Sequence, residues 1–149
     1  MEPDKPMEMF VDILLVEDNP ADVNLLRETF RESKIANNLH VVNDGERAMD
    51  FLHNRGEFAA APRPDLVLLD IGLPKKNGLE VLAEIKTDPD LMLIPVIILT
   101  TSKAEEDIFR SYDLHANSYI TKPVHLSEFF EVVKSIENFW FGIVKLPPR

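Results

Sequence analysis

The chain has 149 residues, 45% of them hydrophobic, and carries 26 acidic against 16 basic residues, for a formal charge of −10. This size suits one domain with its own core, and the negative charge argues against binding to nucleic acid phosphates. The absence of cysteine excludes disulfides, thiol redox chemistry and cysteine-based zinc sites. We find no apolar run of membrane-spanning length and no basic start typical of a secretory signal, so we expect a cytoplasmic protein.

Apolar runs alternate with amphipathic segments five times along the chain, a pattern typical of βα units in a parallel sheet. The predicted strands are Asp12–Val16, Leu39–Asn43, Leu66–Asp70, Val96–Thr100 and Ser118–Thr121. The first three predicted helices begin near Pro20, Gly45 and Gly78, the fourth spans Ala104 to Leu114, and the fifth carries Leu126. We predict a flexible leader over residues 1–9, one domain over residues 10–141 and a C-terminal extension over residues 142–149.

Charged residues follow three of these strands where the apolar runs stop. Glu17 and Asp18 follow the first strand, Asp70 ends the third, and Lys122 follows the fifth. Ligands of open parallel sheets bind outside the carboxyl ends of the strands, so we expect these side chains to meet at one rim. Two carboxylates about 5 Å apart repel by roughly 3 kcal/mol at an effective dielectric near 20. The cluster therefore needs a cation, and Mg²⁺ prefers such oxygen ligands.

The order of these motifs resembles the receiver domain of two-component response regulators. The motifs are the pair Glu17-Asp18, Asp70 in the run Leu69 to Gly78, Thr100 at the end of strand four, Tyr119 in strand five, and Lys122-Pro123. Further stretches are similar to the stand-alone response regulators paired with cyanobacterial and bacterial phytochrome kinases: Ile13 to Asp22, Leu73 to Lys76, Leu99 to Ser102 and Ile136 to Trp140. The resemblance implies a flavodoxin-like (βα)5 fold, a doubly wound five-stranded parallel sheet of order 2-1-3-4-5.

The resemblance also implies roles for the rim residues. Asp70 would accept a phosphoryl group from a phosphohistidine on a sensor histidine kinase of the phytochrome type. Mg²⁺ would be held by Asp18, Asp70 and the backbone carbonyl of Gly72, with Glu17 acting through water. Lys122 would pair with the phosphoryl oxygens. Glu17 stands where the family more commonly has aspartate, so its longer arm is expected to move that water.

A switch and a signalling surface follow from the same resemblance. The Thr100 hydroxyl would move to the new phosphoryl group and the Tyr119 ring would turn inward, changing the surface formed by helix four, strand five and helix five. The bond between Lys122 and Pro123 is expected to be cis. Such a protein is a phosphoacceptor rather than a turnover enzyme, and it passes its signal to a downstream protein or a phosphotransfer protein.

Three consecutive aromatic residues, Phe139, Trp140 and Phe141, lie near the end of the fifth helix. They cannot all face one core, and exposed aromatic residues favour a protein interface. In related regulators the helix four to helix five face forms homodimers. We therefore predict a homodimer that uses this aromatic segment.

Several alternatives stay open at the level of sequence. A pseudo-receiver would signal by binding alone, without phosphorylation. A magnesium-dependent phosphohydrolase would bring similar residues together at the rim. That class has a DxD motif at the first strand, which Asp18-Asn19-Pro20 does not supply. A flavodoxin-type electron carrier would need a phosphate-binding loop at the same place. Asp18 by itself could simply be the N-cap of the first helix.

Overall fold

The computed structural model describes residues 11–32, 36–73, 75–111, 116 and 118–135. The predicted leader, the C-terminal extension and the aromatic segment of Phe139, Trp140 and Phe141 lie outside these residues. The domain boundaries and the predicted dimer contact therefore stay predictions. Among the described helices, none combines the length and apolar character needed to cross a membrane.

Five parallel strands form one sheet within the described residues. They are β1 (Val11–Val16), β2 (Asn37–Val42), β3 (Leu66–Asp70), β4 (Val96–Thr100) and β5 (Ser118–Thr121). Their order is β2-β1-β3-β4-β5, which confirms the predicted topology. Because the chain reverses direction across the sheet between β1 and β3, the carboxyl ends of these two strands form the crevice where such sheets bind ligands.

The helices α1 to α5 connect and follow these strands. They are α1 (Pro20–Arg31), α2 (Gly45–Leu52), α3 (Gly78–Thr87), α4 (Lys103–Arg110) and α5 (Leu126–Ser135), with a short 3-10 helix at Gly56–Phe58. The prediction that helix four continues to Leu114 is wrong, because α4 ends at Arg110. The Ser111 N–H donates to the carbonyls of Asp107 and Ile108, which tightens and closes the last turn.

Two apolar layers cover the two faces of the sheet. Along β1, Leu14 and Val16 pack on the side of α2 and α3, whereas Ile13 and Leu15 pack on the side of α1 and α5. Every residue of β3 and β4 is buried. Strands covered on both faces need apolar residues at every position, which is why these strands are uniform runs rather than alternating ones. The polar residues that end them are thereby placed at the rim.

Candidate functional site

Three carboxylates meet at the crevice between β1 and β3. Glu17, Asp18 and Asp70 each offer an oxygen atom, and these oxygens all lie within 4.8 Å of one another. Glu17 and Asp70 are buried and Asp18 is exposed, so the group opens to solvent on the Asp18 side. Hard, negatively charged oxygens at this spacing fit a divalent cation that keeps water or other oxygen ligands on its open side.

Lys122 brings a positive charge into this group from β5. Its Nζ lies 3.1 Å from Asp70 Oδ1, 3.2 Å from Glu17 Oε1 and 2.9 Å from Asp22 Oδ2. The Lys122 N–H donates to the Thr100 carbonyl at 2.7 Å, which fixes the start of the side chain beside β4. The predicted cis bond between Lys122 and Pro123 is confirmed. The structure thus brings together Glu17, Asp18, Asp70 and Lys122, as the sequence predicts.

The charges at this rim influence one another. Burial raises the pKa of Glu17, the nearby Asp70 charge raises it further, and Lys122 opposes both effects. Burial likewise raises the pKa of Asp70, with Lys122 acting in the opposite direction. Burial lowers the pKa of Lys122, but the hydrogen bond to Asp22 and the charge of Asp70 outweigh it and leave the pKa raised. The lysine is therefore cationic, and the two buried carboxylates would gain from a further cation.

Asn19, rather than Asp18, is the N-cap of α1. The Asn19 side chain accepts hydrogen bonds from the backbone N–H groups of Ala21 and Asp22 at 2.9 and 3.2 Å. The Asn19 N–H in turn donates to Glu17 Oε2 at 3.3 Å. This arrangement removes the alternative that Asp18 serves only as a helix cap. Both Glu17 oxygens thus have a partner: the Asn19 backbone N–H for Oε2 and the Lys122 ammonium for Oε1.

Thr100 and Tyr119 lie beside the rim on neighbouring strands. Thr100 is buried, and its Oγ1 lies 3.5 Å from the Thr121 hydroxyl on β5. Tyr119 is half-buried and packs edge-on against Phe109 of α4, with ring centroids 6.1 Å apart. The hydroxyl and the aromatic ring therefore both contact the elements that form the predicted signalling surface. Their switching role stays a prediction.

The segments after β3 and β4 complete the rim. Gly72 is exposed two residues after Asp70, and a Cβ added there would meet nothing within 4 Å. After β4, the Thr101 backbone and hydroxyl both donate to Glu105 on α4, at 2.7 and 3.0 Å. The role of the Gly72 carbonyl as a metal ligand stays a prediction.

Sequence reasoning missed Asp22, which makes the shortest of the three contacts with Lys122. Asp22 follows Asp18 by four residues and lies in the first turn of α1. α1 begins just after the rim residues Glu17 and Asp18, so an acidic residue in its first turn is a signal that could have found it. Aspartate is common in the first turn of a helix because its charge interacts favourably with the helix dipole. Asp22 therefore does not stand out in the sequence as a partner of Lys122.

Similarity to known proteins indicates the same kind of protein as the geometry of the site. A family model described as response regulator receiver domain matches residues 13–134. The chain is 52% identical over 135 residues to the response regulator Rcp1 of Synechocystis sp., covering 91% of this chain and 92% of Rcp1. A crystal structure of the Mn²⁺-bound form of Rcp1 has a TM-score of 0.72 at 51% identity, covering 93% of this chain and 99% of that one.

A second solved structure is that of the phosphorylated cyanobacterial phytochrome response regulator RcpA. It is 53% identical to this chain with a TM-score of 0.73, and the matched region covers 93% of this chain and 99% of the RcpA chain. These relatives match almost end to end. The likeness therefore extends over the whole described sheet and rim.

Proposed function

Since this chain belongs to the response regulator receiver family and is related to phytochrome response regulators, we propose that it accepts a phosphoryl group on Asp70 from a sensor histidine kinase of the phytochrome type. One observation carries the proposal. Asp70, buried at the end of β3, has the Lys122 ammonium 3.1 Å from its carboxylate and two further acidic groups beside it. This is a nucleophile with a cation beside it at a site suited to a divalent metal.

The chemistry needs little from the protein beyond position and charge. An Asp70 oxygen attacks phosphorus, a P–O bond forms, and the P–N bond to the kinase histidine breaks with its electron pair returning to the imidazole. Lys122 compensates the negative charge that the phosphoryl oxygens bring. Mg²⁺, bound by Asp18, Asp70 and the Gly72 carbonyl with Glu17 nearby, would supply the positive charge that lets a carboxylate approach a phosphoryl group.

The signal would leave through α4, β5 and α5. A phosphoryl oxygen offers the Thr100 hydroxyl a charge-assisted hydrogen bond in place of its 3.5 Å contact with Thr121. The space that Thr100 leaves would admit the Tyr119 ring, so the surface of α4 and β5 changes. The recipient is a downstream protein or a phosphotransfer protein in the cytoplasm, and the chain is a phosphoacceptor rather than a turnover enzyme.

Phosphoryl uptake tests the proposal directly. The protein is incubated with Mg²⁺ and acetyl phosphate, and intact mass is followed for one base-labile phosphoryl adduct. Asp70→Asn should abolish the adduct, whereas Asp65→Asn should keep it. Asp65 is a matched control because burial also raises its pKa, but it lies at the opposite end of β3. An adduct on Asp70→Asn would contradict the proposed acceptor, and no adduct on the wild type would favour a receiver that signals by binding alone.

A homodimer that uses Phe139, Trp140 and Phe141 remains part of the proposal. It rests on the sequence of this segment, in which three adjacent aromatic residues cannot all be buried in one monomer core. Sedimentation of a chain truncated after Asn138 should give monomers where the full chain gives dimers. An unchanged mass would place the contact elsewhere.

A further inference from the structure

Asp22 holds the Lys122 ammonium from a position outside the metal-suited group. The three hydrogen-bond donors of Lys122 Nζ face three carboxylates: Glu17, Asp70 and Asp22. Glu17 and Asp70 belong to the group that can hold a cation, together with Asp18. Of the three lysine partners among the described residues, Asp22 is thus the one whose oxygens do not lie in that group.

We propose that Asp22 is a positioning residue, which keeps the Lys122 ammonium beside Asp70 when a divalent cation draws on the oxygens of Glu17 and Asp70. The proposal rests on the proposed function, because it concerns the lysine that meets the phosphoryl group. A divalent cation and an ammonium compete for the same carboxylate oxygens and repel each other. A lysine without a separate partner would then be displaced toward solvent, where it could not meet the phosphoryl oxygens.

The first turn of α1 is built to present Asp22 at this place. Asn19 accepts from the Asp22 N–H at 3.2 Å and donates its own N–H to Glu17, so Asp22 and Glu17 are tied to one cap residue. The Asp22 side chain is 29% exposed and the Lys122 side chain 13% exposed. Their contact at 2.9 Å is therefore partly shielded from water, which strengthens a hydrogen bond between charged groups.

The ammonium resonance of Lys122 in nitrogen-15 NMR tests this without any chemical turnover. Lysine ammonium protons are visible when hydrogen bonds slow their exchange with water. In the wild type and in Asp22→Glu, the resonance should persist in metal-free protein and after saturation with Mg²⁺. In Asp22→Ala it should persist without metal, because Glu17 and Asp70 still hold the lysine, and disappear when Mg²⁺ is added. Persistence in Asp22→Ala with Mg²⁺ would overturn the proposal.

A double-mutant cycle on phosphoryl uptake separates positioning from helix stabilisation. At saturating Mg²⁺, Asp22→Ala should lower the rate constant with acetyl phosphate about tenfold, the loss expected for one hydrogen bond between charged groups. In a Lys122→Ala background the same change should have no further effect. An equal loss in both backgrounds would overturn the proposal, since a helix-dipole effect of Asp22 does not depend on Lys122.

Two controls keep the outcomes distinct. Asp107→Ala removes another aspartate that contacts a lysine, with Asp107 Oδ1 3.4 Å from Lys103 Nζ on the exposed face of α4, and should change neither readout. If Asp22→Ala fails to fold, Asp22→Asn keeps the size of the side chain and should show the same changes in smaller measure. If the wild type takes up no phosphoryl group, the proposed function fails while the NMR comparison still decides the role of Asp22.

Discussion

The guanidinium carbon of Arg110 lies 4.0 Å from the centroid of the Tyr119 ring, so a cation on α4 covers the aromatic face of the residue predicted to switch. Arg110 Nε also donates to Glu106 Oε2 at 2.6 Å, and Glu106 is buried. One arginine therefore pairs a buried carboxylate and holds a ring on the neighbouring strand. It connects α4 to β5 at the proposed signalling surface.

Arg110→Ala should lower the free energy of unfolding by about 1–2 kcal/mol, because it removes a cation–π contact and leaves Glu106 with a weaker partner. Urea unfolding measures the change. Arg31→Ala is the matched control, since Arg31 pairs with Glu28 three residues earlier on the exposed face of α1. The control should change stability by less than about 0.5 kcal/mol. Equal losses in the two variants would show that the Tyr119 contact and the pairing with Glu106 together contribute no more than an exposed ion pair.

Lys122→Met should destabilise the metal-free protein by about 2 kcal/mol, because a buried carboxylate loses a charged hydrogen-bond partner. The Glu17 side chain is fully buried and Asp70 is 9% exposed, so water replaces the ammonium poorly. Added Mg²⁺ should recover much of the loss, since it supplies positive charge to the same oxygens. Urea unfolding with chelator and with Mg²⁺ gives both values.

The control for Lys122 is Lys75→Met. Lys75 is 62% exposed and its Nζ lies 3.7 Å from Asp44, so its removal should have little effect with or without Mg²⁺. A loss in Lys122→Met that Mg²⁺ leaves unchanged would mean that the lysine stabilises the fold through its packing rather than its charge.

Gly78→Ala should destabilise the protein by about 1–3 kcal/mol through overpacking. A Cβ at Gly78 would lie 2.7 Å from the Asp70 carbonyl oxygen and 3.0 Å from Ile71 Cα, both of them backbone atoms that cannot turn away. Gly72→Ala is the control, because a Cβ there meets nothing within 4 Å. Chemical unfolding of both variants tests the comparison, and a Gly78→Ala protein as stable as the wild type would show that α3 can move away from β3 at little cost.

The parts of this molecule that could be predicted from the sequence are those determined by a single physical cause, the burial of strands. Strands β3 and β4 are buried on both faces, so their uniform apolar runs predict both their bounds and the polar residues Asp70 and Thr100 that end them. Lys122 follows β5, an edge strand whose residues are mostly half-buried, so its place at the rim depends on the strand ending there rather than on a uniform apolar run. Its reach to Asp70 then follows from strand order.

The features that escaped prediction depend on local details of the backbone and on where single side chains lie. Asp18 and Asn19 are both good N-caps, and only the backbone at the start of α1 decides that Asn19 takes the role. The contact between Asp22 and Lys122 escaped because Asp22 lies in the first turn of α1, where the end of an apolar run does not mark it. The early end of α4 depends on a local turn at Ser111 that a helical pattern in the sequence does not reveal.

Stabilisation by Mg²⁺ should weaken with falling pH sooner than at a site with ordinary carboxylates. Burial raises the pKa of Glu17 above 4.5 and that of Asp70 above 3.8, so protons compete with the metal at a higher pH. The folded metal-free protein binds these protons more tightly than the unfolded chain, so these two groups favour folding more as pH falls, while the metal loses its ligands. The gain in melting temperature on adding Mg²⁺ should therefore shrink between about pH 7.5 and about pH 5.

Glu17→Gln should show a smaller gain in melting temperature with a flatter dependence on pH, because it lacks one of the two carboxylates that protons and metal compete for. A wild-type gain that is constant over this range would contradict the involvement of both buried carboxylates.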